Sequence, residues 1–270
     1  MKISKFIALF LGVLISVSSV QASIKSAPAQ LEPLLQHRKT TAEIVDRLRK
    51  NHYLRMSIFL DDHLASTVLY RYIKELDENR SYFLASDIKE FDNYRFKLDD
   101  AFKAGNLSPA FKIFNRYQER IRDRLDYMLG QLDKGIEKLD FTRQEKLQID
   151  RKSAPWAKTH EELDRLWHKR LKNDVLSLKL AGKEMKDIQS LLSKRYENQA
   201  KRISQTNSED AYRIFMNALT LSYDPHTQYF SPRATENFNI RMKLSLEGIG
   251  AMLQSEEHTS ELQSRGHLVC

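Results

Sequence analysis

The chain has 270 residues, 41% of them hydrophobic and 30% charged, with a formal net charge of +8 and a pI near 9.4. This length and hydrophobic content exclude a disordered chain, and 8 Gly and 6 Pro favour long helices over a sheet-rich fold. The positive charge is interleaved with Asp and Glu along helix-patterned stretches, so it reads as a solvated helical surface rather than a nucleic-acid interface.

Met1–Ala22 has the form of a secretory signal: Lys2 and Lys5, an apolar run from Phe6 to Val20, then Val20-Gln21-Ala22 as a small-residue cleavage site. The run is short for a membrane span, so no integral span is expected once the signal is removed. Ser23–Lys39 is expected to be a flexible N-terminus. A helix is expected from Thr40 or Thr41, with Ile44, Val45, Leu48 and His52 on one face. Asp61 or Asp62 opens another, whose stripe is Leu64, Val68, Leu69, Tyr72, Ile73 and Leu76. After a connector over Asn79–Leu84, Ser86 is expected to cap a helix that turns Ile88, Phe91, Tyr94, Leu98 and Phe102 inward and ends at Gly105-Asn106.

Ser108-Pro109 starts a long helix to about Leu132. Phe141–Ser153 is irregular, and Ala154-Pro155-Trp156 is a turn with its aromatic packed on the helices. Thr159 to Glu162 is a capping box, and Gly182 closes the helix it opens. Met185, Ile188, Leu191, Leu192, Tyr196 and Ile203 carry the next helix. Asn207 caps a further one, with Glu209 and Asp210 in its first turn, and Asp224-Pro225 stops it. Ser231-Pro232 restarts a helix, and the period-two alternation of Phe238, Ile240, Met242, Leu244, Leu246 and Ile249 predicts a strand.

The chemistry-bearing motifs are few. There is no HExxH, CxxC, GxSxG or phosphate-binding glycine loop, and no cofactor or metal is expected. Asp224 and His226 form a close acid–imidazole pair, but a helix stop followed by a turn accounts for them better than a catalytic dyad. Gly248, Ile249, Gly250 and Ala251 could expose backbone amides to a C-terminal carboxylate, with a peptide added along the strand edge. Cys270 is the single cysteine, so no internal disulfide is available.

Several stretches carry a family resemblance: FLASD (Phe83–Asp87), DRKSAPWAKTHEELDRLW (Asp150–Trp167), LSLKLAGK (Leu176–Lys183), SQTNSED (Ser204–Asp210), DPHTQYFSPR and SLEGIGAMLQ. In this order they resemble the tail-specific proteases of Gram-negative bacteria, the C-terminal processing peptidases. The resemblance implies a periplasmic serine endopeptidase that recognises apolar C-terminal tails through a PDZ domain and cleaves with a Ser–Lys pair. In that family both catalytic residues lie downstream of the GIGA segment.

The expected organisation is therefore a signal peptide (1–22), a flexible N-terminus (23–39), a helical domain (40–242) and the start of a PDZ domain (243–254). Gly248–Ala251 would be its substrate-binding residues. Ser255–Ser264 resembles a translated sequencing-adapter oligonucleotide, and 255–270 is expected to be a non-native tail. His258, Glu261, His267 and Cys270 fit no standard zinc spacing. The expected fold class is mainly α, a multi-helix module followed by the first strand of a truncated PDZ-like domain. Its expected partners are protein substrates with apolar C-termini and an adaptor lipoprotein. The alternative is an exported, non-catalytic helical adaptor module.

Overall fold

The computed structural model describes residues 30–243. The described chain is mainly α. It forms α1 (Leu35–Lys50), α2 (Asp62–Leu76), α3 (Ala85–Phe91), α4 (Leu98–Ala104), α5 (Ser108–Asp133), α6 (His160–Leu180), α7 (Met185–Ser204), α8 (Ser208–Tyr223) and α9 (Pro232–Lys243). Two short 3-10 turns follow α3 and α5. The extended pairing among the described residues is an isolated bridge between Leu84 and Ala157.

The helices bury two apolar clusters, and α5 belongs to both. At 26 residues it is about 39 Å long. Its first half places Phe111, Ile113 and Phe114 against α1, α2, α4 and α8. Its second half places Ile121, Leu125, Met128 and Leu132 against α6 and α7. The α6–α7 hairpin thus sits on the far half of α5, and α8 returns the chain to the first cluster. Within that cluster Phe215 of α8 stacks on Phe102 at 4.8 Å and meets Tyr72 edge-on at 5.1 Å. The Tyr72 hydroxyl, fully buried, donates to the Ala110 carbonyl at 3.1 Å.

Local chemistry explains most of the element ends. Asp61 caps α2 by accepting from the Leu64 amide, and Thr159 caps α6 by accepting from the Glu162 amide. Glu162 reaches back to the Lys158 amide, one residue before the cap. Asn207 accepts from the Glu209 and Asp210 amides while Asp210 accepts from Asn207, a reciprocal box. Gly105 closes α4 at φ 64°, where a Cβ would sit 2.7 Å from Arg38 Cγ; the left-handed turn and the close approach of α1 both require glycine.

Five expectations need correction. The single helix expected between Ser86 and Gly105 is two, α3 and α4, separated by the 3-10 turn Asp92–Tyr94 and residues 95–97. Helix α1 begins at Leu35, so residues 35–39 are helical rather than flexible. The reason is His37, which is 1% exposed and accepts the Leu34 amide on Nδ1, capping the helix from within its first turn. His52 lies beyond α1, in the turn at its C-terminal end. Helix α3 is capped at Leu84 rather than Ser86, because the Asp87 carboxylate accepts the Leu84 amide. Finally, α9 runs through Lys243, so Phe238, Ile240 and Met242 are helical, not part of a strand. Side chains two apart on a helix point about 200° from each other, so this alternation makes no single apolar face. All three are exposed. The rest of the predicted strand lies outside the described residues.

Candidate functional site at the junction between α1, α8 and α9

The segment Asp224–Ser231 joins α8 to α9 and folds back onto the two ends of α1. Asp224, the C-cap of α8, is 4% exposed. It accepts from the Thr227 hydroxyl at 2.7 Å and from the Tyr53 hydroxyl at 2.9 Å. The Thr227 hydroxyl, then the Tyr53 hydroxyl, hold its carboxyl below the usual range despite burial. The same contact pushes the Tyr53 phenol up.

His52 completes the group. Its Nε2 lies 3.0 Å from Thr227 Oγ1 and 3.8 Å from Asp224 Oδ2. Its Nδ1 accepts the Leu54 amide at 3.1 Å. A nitrogen that accepts carries no proton, so the neutral ring is the Nε2–H tautomer and donates to Thr227. The Thr227 proton then points to Asp224. A threonine nucleophile would need the opposite arrangement, with an unprotonated imidazole nitrogen receiving its proton. Asp224, with its depressed pKa, is a poor base for the same task. The hydroxyl is locked in place, and the geometry is that of a structural clasp.

A second clasp of the same design lies at the other end of α1. His37 Nδ1 accepts the Leu34 amide, which leaves Nε2–H to donate to Glu209 Oε2 at 2.9 Å. The other Glu209 oxygen accepts from the Tyr229 hydroxyl at 2.9 Å. Burial, followed by the Glu209 carboxylate, pushes the Tyr229 phenol well up. The Tyr229 amide donates to Asn217 Oδ1 at 2.8 Å, and the His37 ring stacks on Tyr212 at 4.2 Å. Each histidine thus uses one nitrogen to cap its own backbone and the other to hold a distant partner, Glu209 across 172 residues and Thr227 across 175.

The two clasps fix where α9 leaves the bundle. Ser231 Oγ accepts the Ala234 amide, and Phe230 stacks on Phe238 at 5.6 Å. From Thr235 to Met242 every residue is exposed, so α9 projects from the bundle after its first turn. Beside the junction runs a groove of about 470 Å³ lined by Ile44, Leu48, His52, Tyr229, Phe230 and Thr235.

His226 is exposed and meets Asp224 through its backbone amide, and the imidazole that faces the acid side chain is that of His52. Gly248, Ile249, Gly250 and Ala251 lie outside the described residues. Among the described residues no group of three or more His, Cys, Asp or Glu is placed to hold a metal ion, and no helix is long and apolar enough to cross a membrane.

In both clasps the imidazole and the hydroxyl are committed to holding the α8–α9 segment against α1 and α8. The sequence comparisons name the architecture. A family model described as the tail-specific protease N-terminal domain matches residues 44–233. The tail-specific protease of Haemophilus influenzae is 37% identical over 248 residues, 91% of this chain and 35% of that protein. The chain belongs to the tail-specific protease family, as its N-terminal helical domain. It spans about a third of the length of this curated relative.

Proposed function

We propose that this chain is the N-terminal helical part of a periplasmic serine-type endopeptidase that selects proteins by their apolar C-terminal tails. The chain does not cleave by itself. The observation that carries this reading is the family match over residues 44–233, together with a relative of which the matched stretch makes up 35%. The motif resemblance supports the finer points. It implies a Ser–Lys pair downstream of Gly250-Ala251 and a PDZ domain that begins near residue 243, with Gly248, Ile249, Gly250 and Ala251 receiving the tail. The signal-like Met1–Ala22 supports export. An adaptor lipoprotein is the proposed further partner. The role of the helical domain is to hold α9, and with it the protease segments downstream of α9, in position through the two histidine clasps.

The test compares the 270-residue chain with a chimera that carries residues 23–243 fused to the downstream two-thirds of the Haemophilus influenzae relative. The substrates are one folded protein with an apolar C-terminus and the same protein with a charged one. The chain alone is expected to cleave neither. The chimera is expected to cleave the apolar-tailed protein and to lose activity with serine-directed reagents. Cleavage by the chain alone, or a chimera indifferent to the tail, refutes the reading. Tight tail binding by the chain without any cleavage would favour the adaptor alternative.

A further inference from the structure

A second groove, of about 550 Å³, is formed by the outer face of α2, the 3-10 turn after α3 and the segment 152–156. Its apolar part is Leu69, Ile73, Ile88 and Trp156. Its charged part is Lys74, Arg80, Arg95 and Lys152 against Asp77, Glu78 and Asp92.

The pairing inside the groove leaves positive charge over. Lys152 bridges Glu78 at 3.0 Å, and Arg95 bridges Asp92 at 2.8 Å. The Asp77 carboxylate is 3% exposed and filled from behind. It accepts the amides of Ser81 at 2.8 Å, Tyr82 at 2.9 Å and Phe83 at 3.0 Å. Among the described residues, Lys74 and Arg80 are left without a carboxylate.

Arg80 is also the one non-glycine residue with positive φ among those described, at 47°. The turn from Asp77 to Phe83 needs a left-handed residue here, and glycine would supply it without strain. Arginine in its place keeps a side chain that glycine lacks. One guanidinium nitrogen donates to the Ala154 carbonyl, and the group lies over the Trp156 ring at 5.2 Å. Among the described residues no carboxylate pairs with this guanidinium, which lines the groove.

We propose that this groove binds an extended acidic segment of a partner polypeptide. A carboxylate would rest on Arg80 and Lys74, and a neighbouring apolar side chain on Trp156 and Ile73. Charge complementarity decides the occupant: the groove has a surplus of cations, the chain's net charge is +8, and the apolar floor rewards a side chain that inorganic anions lack. This surface is separate from the α1–α8–α9 junction and does not depend on proteolysis.

The test is fluorescence anisotropy of a labelled, end-blocked peptide of alternating Glu and Leu, titrated with the 270-residue chain. The comparison ligands are the same peptide with Lys for Glu, an uncharged apolar peptide with a free C-terminus, and oligothymidylate. The acidic peptide is expected to bind saturably with Kd below about 100 µM, weakening as salt rises. Arg80→Gly keeps the left-handed turn without strain while removing the guanidinium, and with it the bond to the Ala154 carbonyl and the contact with Trp156. It should weaken binding at least tenfold, as should Lys74→Glu on the exposed face of α2. No saturable binding, or equal binding by both variants, overturns the proposal. Binding of the lysine peptide, the free-ended apolar peptide or the oligonucleotide as tightly as the acidic one also overturns it, and assigns the groove to that ligand.

Discussion

Replacing Asp87 by Asn should be among the most damaging single changes in the helical domain. Asp87 is 1% exposed, and its two oxygens receive four donors. Arg120 approaches in the fork geometry, Nε to Oδ2 at 2.8 Å and a terminal nitrogen to Oδ1 at 2.9 Å. Arg116 adds a bond of 2.6 Å, and the Leu84 amide a fourth of 2.9 Å that caps α3. Burial alone would raise this carboxyl; Arg120, the Leu84 amide and Arg116 together hold it below its ordinary value. Removing one member of a buried ion pair costs about 3–5 kcal/mol, because the partner charge stays behind. Arg120 is 11% exposed and keeps only Asp123 at 3.6 Å, but Arg116 is 30% exposed and keeps Glu90 at 3.2 Å and Glu119 at 3.1 Å, so the lower end applies. About 3 kcal/mol corresponds to a fall in Tm of roughly 6–12 °C for a domain of this size.

The pH dependence supplies a second check. The folded pKa of Asp87 lies below the unfolded one, so the carboxylate contributes stability that is fully present above the unfolded value of 3.8. That contribution is lost as pH falls through the folded value. The gap between the natural chain and Asp87→Asn should therefore be widest near neutral pH, begin to narrow below 3.8 and close only as pH falls through the lower folded value, where the aspartate is itself protonated in the fold. Urea unfolding followed by circular dichroism, at pH 7 and at the lowest pH where the chain stays folded, measures both. A difference under about 1 kcal/mol at pH 7, or one that does not shrink in acid, refutes the account of Asp87 as a charged hub.

Two further outcomes are expected from the packing. Thr227→Ala should release the loop 225–230 and the turn after α1, seen as faster amide exchange in both, whereas Thr227→Ser should restore protection; unchanged exchange in the alanine variant would remove the clasp from the explanation. Leu171→Ala, at a fully buried position of the second cluster, should cost about 2–5 kcal/mol and speed exchange in α6, α7 and the end of α5 while leaving α2 and α8 protected. Equal loss of protection in all these helices would show that the two clusters unfold as one.

What the sequence reveals here is local, and what it hides is long-range. The caps at Asp61, Thr159 and Asn207, the stop at Asp224-Pro225 and the stripe from Leu64 to Leu76 are each decided within a few turns of chain, so spacing and residue type suffice to find them. The clasps are not. His37 and His52 meet Glu209 and Thr227 across 172 and 175 residues, and nothing near either histidine announces the partner. For His37 the nearest signal is the apolar pair Leu34 and Leu35; yet both are exposed, and the buried residue is the histidine between α1 and α8.

The DPHTQYF segment shows how a motif can be informative while its chemistry is built elsewhere in the chain. Its sequence-adjacent pair, Asp224 and His226, invites a dyad. In the fold the acid turns inward, His226 turns out, and the imidazole that faces Asp224 arrives from the end of α1. A tautomer then decides between catalysis and architecture. Because the Leu54 amide occupies Nδ1, His52 can only give a proton to Thr227, and Thr227 can only give its own to Asp224. One consequence separates the two roles: substituting His52 by Gln, which keeps a donor at the outer end, should preserve most of the protection of the loop, whereas a catalytic base would tolerate no such exchange. Retained exchange protection in His52→Gln, beside its loss in His52→Ala, is the result that a clasp requires.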